Sequence, residues 1–136
     1  MNIIIFDINK KFIEKAKKLE KYGIKVIQSN IIDLLNNNKV NAITCPSNIY
    51  GDLKGGILDV YKILFPNIKT NIDNKINEFN ILSENNINFL PIGSSITLLT
   101  EINVCPFLIF SSMFDESKIN KKKKYFFLFY NNTIFI

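Results

Sequence analysis

Three glycines and one asparagine in a single short stretch carry most of the chemistry this sequence offers. Asn48, Gly51, Gly55 and Gly56 fall within residues 45–57, and the glycine pair runs directly into Ile57, the first of several apolar residues at helical spacing. Glycine lets another group approach the main chain closely, and the first N–H groups of a helix have no intrahelical acceptor. The combination makes a receptor for phosphate oxygens, with a diphosphate as the natural guest. Asn48 adds a carboxamide that can both donate to and accept from a hydroxyl. Its ordinary alternative is a loop asparagine bonded to its own main chain. Asp52 and Asp59 are the nearby carboxylates and, with Asn48, the candidates for general acid or base work, although both also read as solvated surface charges. By itself, a Gly-Gly before a helix is most often only a tight turn.

These residues need a frame, and the chain supplies one by alternating strand and helix patterns. Residues 2–8 form a β-branched and aromatic run without strict alternation, the mark of a strand covered on both faces. Asn9 can cap a helix over 10–22, where Phe12, Ile13, Ala16, Leu19 and Tyr22 recur at helical spacing and Gly23 ends the run. Residues 24–28 give a second strand and complete a right-handed βαβ unit. A short helical turn over 31–35, a third strand over 41–45 and a loop over 46–56 follow. The next helix begins at Ile57 and is stopped by Pro66. Residues 68–82 read as a helix with Ile68, Ile72, Ile76 and Phe79 on one side. A turn at Leu90-Pro91-Ile92-Gly93 then precedes strands over Ser95–Leu99 and 106–111, and a further strand is expected over 125–130. Such alternation predicts an α/β fold around a mixed, largely parallel sheet, with ligands received beyond the carboxyl ends of the strands.

Composition removes several function classes. The 136 residues, 47% of them hydrophobic, suit one domain over 1–136. Histidine is absent, so one chain cannot assemble Ser-His-Asp or Cys-His catalysis. Cys45 and Cys105 are far apart, and without a Cys-x-x-Cys pair a structural zinc site is not expected; nor does any motif call for a cofactor. Cys45 reads as a small apolar residue closing a strand. The net charge of +5 comes from dispersed lysines, apart from the run Lys121–Lys124, and arginine is missing, which argues against a nucleic-acid partner. Apolar stretches near the carboxyl end fall short of the roughly 20 residues a membrane helix needs. The opening residues lack the pattern of a secretory signal, so an intracellular, cytoplasmic setting is the expectation.

Four elements in order resemble the macro-domain family, in particular a branch of free-standing macro-domain-like proteins, across residues 3–113. Phe6-Asp7-Ile8-Asn9 is similar to the end of that branch's opening strand, and Ser29-Asn30-Ile31 stands where a Gly-Asp-Ile turn is found. Cys45-Pro46-Ser47-Asn48-Ile49-Tyr50-Gly51 and Gly55-Gly56-Ile57 resemble a Ser-Pro-Ala-Asn-Ser-Phe-Gly stretch and the Gly-Gly-Ile after it. Leu90-Pro91-Ile92-Gly93 looks like a Leu-Pro-Val-Gly turn. The resemblance implies a three-layer α/β/α sandwich with a cleft for ADP-ribose, free or carried by a modified protein. It places Asn48 at the distal ribose, Gly55, Gly56 and Ile57 at phosphate and ribose oxygens, and Asn30 and Ile31 near the adenine.

The departures from the family pattern weaken that site. Asn30 replaces the aspartate that accepts from the adenine amino group, so the bond loses its charge. Lys54 stands where an acid is common, and a lysine beside a diphosphate favours binding. Leu58 occupies a frequent aspartate position, with Asp59 one step later. Residues 114–136 match nothing in the family, which leaves a divergent, shortened end without the second glycine-rich loop and predicts reduced affinity.

The resemblance also admits an ADP-ribosyl hydrolase, or an enzyme processing ADP-ribose phosphates, but the acids available favour binding over catalysis. A degenerate protein that keeps the fold without the ligand is the further alternative. A Rossmann-type cofactor site fails on local chemistry: no Gly-x-Gly-x-x-Gly follows the first strand, and the second ends in Ser29-Asn30 without an acidic ribose ligand.

Overall fold

The computed structural model describes residues 2–115 and 133–135, so the strand expected over 125–130 and the lysine run Lys121–Lys124 lie outside the described residues. Strand β1 (Ile4–Asp7) and strand β2 (Lys25–Gln28) pair in parallel, with Ile4 opposite Lys25 and Asp7 opposite Gln28. Between them runs helix α1 (Lys10–Ala16), whose first turn is closed by the Asn9 side chain accepting from the N–H of Phe12. The expected helix over 10–22 does not stay α-helical. Past Ala16 it tightens into a 3₁₀ segment, Lys17–Tyr22, in which no residue is buried. Without an apolar stripe to bury, the α geometry has little tertiary support there.

Helix α2 (Ile31–Asn37) extends beyond the short turn expected over 31–35 and buries Ile31, Leu34 and Leu35. Strand β3 (Ala42–Asn48) also runs longer than expected, because Pro46 continues the ladder opposite Ser111. Its parallel partner is β5 (Phe107–Phe114), and the register shifts between Ser47 and Asn48, where the chain prepares to leave the sheet. The edge strand β4 (Ser95–Leu99) pairs antiparallel with β5. Strand β6 (Thr133–Phe135) pairs antiparallel with β1 and also approaches β3. Two three-stranded sheets result, in the orders β2-β1-β6 and β3-β5-β4, each with one parallel and one antiparallel pairing. The fold is therefore mixed α/β.

Helices α3 (Ile57–Leu64) and α4 (Ile68–Phe79) cover the second sheet. Tyr61 of α3 is fully buried, and its hydroxyl donates to the main-chain oxygen of Thr44 at 2.7 Å, fixing the helix against β3. From α4 the buried residues are Ile68, Ile72 and Ile76, at the expected spacing. Phe79, expected on the same side, is half exposed at the end of the helix. Tyr61, Ile68, Ile72 and Ile76 join Ile43, Cys45, Leu108 and Phe110 of the second sheet, Phe6 of β1 and Ile31 and Leu34 of α2 in one core cluster.

Candidate functional site

The ends of the strands determine where the predicted residues stand. A cleft of about 430 Å³ is lined by residues 2–4, Gly23, Lys25 and residues 39–41, so the starts of β1, β2 and β3 meet at one end of the molecule. The turns that follow these three strands leave from the opposite end, where an α/β sheet receives ligands. Both the Ser29-Asn30-Ile31 turn and the loop after Asn48 belong to that group.

Asn48 is only 1% exposed, and its carboxamide is already occupied. Its oxygen accepts from the N–H groups of Tyr50 at 3.1 Å and Asp52 at 3.0 Å, and its nitrogen donates to the Asp52 carboxylate at 3.3 Å. Ser47, fully buried, adds a bond from its hydroxyl to the Asp52 main-chain oxygen at 2.7 Å. Nothing in a linear motif announces that Ser47 contact, because it depends on the chain folding back over five residues. Asn48 therefore organises its own loop, the ordinary role of a loop asparagine.

Gly51 explains how closely the loop lies on the protein. It has φ +72°, and a Cβ placed there would stand 2.6 Å from Cγ2 of Ile72 and 3.0 Å from Cδ1 of Ile76. Only glycine fits both the backbone angle and the gap.

Gly55 and Gly56 face the other way. They have φ +78° and +57°, and a Cβ on either would meet no atom within 4 Å. Gly56 is the cap residue of α3, and no side chain closes that helix end. The Gly55 oxygen accepts from Leu58 N–H at 3.2 Å, whereas among the described residues no hydrogen bond takes up the N–H of Gly56 or Ile57. Gly56 and Ile57 thus keep main-chain donors without a protein acceptor among the described residues, at the positive end of a helix.

The charged neighbours are all paired. Asp59 lies exposed in the first turn of α3 and bonds Lys62 at 2.7 Å. That lysine, foremost, and the N–H of Gly55 hold its carboxyl below the ordinary aspartate range. Asp52 has Lys54 at 3.9 Å as well as the Asn48 amide. Neither acid stands alone as a ready base.

At the neighbouring turn, Asn30 caps α2. Its side-chain oxygen accepts from Asp33 N–H at 2.8 Å and its nitrogen donates to the Asp33 carboxylate at 2.7 Å. Its carboxamide is therefore committed to the helix. Ile31 is buried as the first residue of α2. Sequence reasoning gave Asp7 no role of its own, yet it is 4% exposed at the end of β1. One carboxylate oxygen accepts from Asn9 N–H at 2.6 Å, while the other is buried without a hydrogen-bond partner among the described residues. Burial pushes its carboxyl above the ordinary value, against the lowering pull of the Asn9 and Ile8 amides.

Both cysteines are fully buried, and burial raises the Cys45 thiol to about 12. It is a core residue with no thiolate at neutral pH. Among the described residues no group of His, Cys, Asp or Glu is arranged to hold a metal ion, and no helix is long and apolar enough to cross a membrane. Comparison with protein-family models, with curated proteins and with solved structures returns no match.

Proposed function

We propose that the chain is a macro-domain-like module that binds ADP-ribose, or a related ADP-containing nucleotide, at the mouth of the loop 45–57. The observation that carries this reading is the pair Gly55-Gly56, in left-handed conformation, open on its outer side and leading into an uncapped helix of eight residues. A diphosphate would accept from the N–H groups of Gly56 and Ile57 and gain from the helix dipole. Lys54, the most exposed charge of the loop, would add a mobile counter-ion.

The three-layer sandwich that the resemblance implies has support in the burial pattern. Phe6 belongs to the core cluster with Ile31 and Leu34 of α2, whereas Ile5 of β1 and Ile13 and Ala16 of α1 are buried outside that cluster. Adjacent residues of a strand face opposite sides, so β1 has a helix to meet on each. The Asn48 contacts favour a structural part for that residue, so the ligand is expected to rely on main-chain donors. The paired state of Asp52 and Asp59 favours binding over hydrolysis.

Calorimetric titration with ADP-ribose, ADP and NAD tests the reading, using wild type and Ile57→Pro. Proline at the first position of a helix removes one N–H at little conformational cost. The expected result is binding of ADP-ribose and ADP, weakened about tenfold or more in Ile57→Pro. Equal affinity in the variant would remove the phosphate seat, and NAD binding tighter than ADP-ribose would point to a different nucleotide site.

A further inference from the structure

Strand β4 pairs with β5 on one side, and the hydrogen bonds just beyond its two ends show which way its main chain faces. Ser112 N–H donates to the Ser94 oxygen and Thr100 N–H to the Pro106 oxygen, both at 3.0 Å. The same register sets Ile96 opposite Phe110 and Leu98 opposite Leu108. Bonded and non-bonded pairs alternate along an antiparallel ladder, so the main-chain groups of Ile96 and Leu98 face β5 and those of Ser95, Thr97 and Leu99 face away from it. All three are exposed, and among the described residues none of them makes a main-chain hydrogen bond on that outer side.

The devices that usually protect such an edge are missing. Ser95-Ile96-Thr97-Leu98-Leu99 holds no charge and no proline, and no bulge interrupts its pairing with β5. Beside it runs a groove of about 430 Å³, lined by Ser95, Ile96 and Thr97 from the strand and by Lys75, Glu78 and Phe79 from α4. Phe79 is half exposed, and Lys75 bonds Glu78 at 2.6 Å.

This edge is complementary to itself. An antiparallel copy centred on Thr97 sets Thr97 against Thr97 and Ser95 against Leu99, so every outward-facing residue meets another. Slipping the copy by one residue would set them against Ile96 and Leu98, whose main-chain groups are engaged with β5. The matching twofold axis stands perpendicular to the sheet, keeps both copies of α4 on one face and runs them in opposite directions. Lys75 of one copy is then brought toward Glu78 of the other, and the reverse, so the charges beside the edge are complementary as well.

We propose that β4 pairs antiparallel with β4 of a second copy of this chain, joining the two β3-β5-β4 sheets across a symmetric dimer. The inference stands apart from the nucleotide reading and uses none of its donors. Sedimentation of the full chain up to about 1 mM, with amide hydrogen exchange at low and high concentration, tests it. A reversible dimer is expected, with protection of the Thr97 amide rising as the dimer forms. Thr97→Pro removes an N–H that faces away from β5, and proline is tolerated on that side of an edge strand, so dimerisation should weaken about tenfold or more. Lys75→Glu, on the exposed side of α4, keeps the fold and should weaken the dimer several-fold at low ionic strength, with recovery when Glu78→Lys is added. A chain that stays monomeric throughout, a dimer indifferent to both Thr97→Pro and Lys75→Glu, or Thr97 protection independent of concentration would each overturn the proposal. Binding of ADP-ribose by a strictly monomeric chain would sink the dimer and leave the nucleotide site standing.

Discussion

The carboxamide oxygen of Asn48 accepts the main-chain N–H of Asp52 at 3.0 Å while its nitrogen reaches the Asp52 carboxylate. One buried side chain thus ties both ends of the loop's first turn. Replacing Asn48 by alanine strands the N–H groups of Tyr50 and Asp52 and is expected to cost about 1–3 kcal/mol of stability. Denaturant unfolding should report it as a lower midpoint at unchanged slope. A neutral result would mean that these bonds are replaced by water.

Gly51 and Ile72 should be coupled. Gly51→Ala forces a methyl to within 2.6 Å of Ile72 Cγ2 at a left-handed backbone angle, and a loss of about 1–3 kcal/mol is expected. Ile72→Ala alone leaves a cavity costing about 2–5 kcal/mol. In a double-mutant cycle the pair should lose less than the sum of the two, since the second change makes room for the first.

Asp7 should make stability fall with rising pH. Its folded-state carboxyl lies above the ordinary 3.8, so the native state binds the proton more tightly than the unfolded chain. Its contribution is most favourable below 3.8 and is lost as pH rises through the folded value. Asp7→Asn keeps an oxygen for the Asn9 N–H and removes the titration. Wild-type stability measured relative to that variant should therefore decline across this window, and a rise would contradict the account.

Asp59 sits in the first turn of α3, at the helix end where the proposed phosphate would bind. It is held ionised by Lys62 and by the Gly55 N–H. Asp59→Asn should therefore tighten ADP-ribose binding about two- to fivefold at low ionic strength, with the gain fading as salt is added. Calorimetry at two salt concentrations checks both parts.

Local signals in the sequence reached the frame well and the site unevenly. Asn9 and Gly23 punctuate helices as their chemistry requires, and the glycine pair before Ile57 sits at a helix start. The extension of β3 through Pro46 was not legible, because proline normally argues against a strand and only the ladder with β5 overrides it. Likewise the α-helical spacing over 10–22 held only as far as Ala16, since no residue of the following 3₁₀ segment is buried and Tyr22 is left exposed. The occupied state of the Asn48 side chain was legible only as an alternative and the capping by Asn30 was not read, since an asparagine's residue type is the same whether it serves a ligand, a helix end or its own loop.

Amide chemical-shift mapping during titration with ADP-ribose tests the central claim most directly. Saturable shifts are expected to be largest at Gly56 and Ile57, the two donors of this helix end without a protein acceptor among the described residues. Saturable binding that leaves both amides unmoved, or no binding at millimolar ligand, would contradict it.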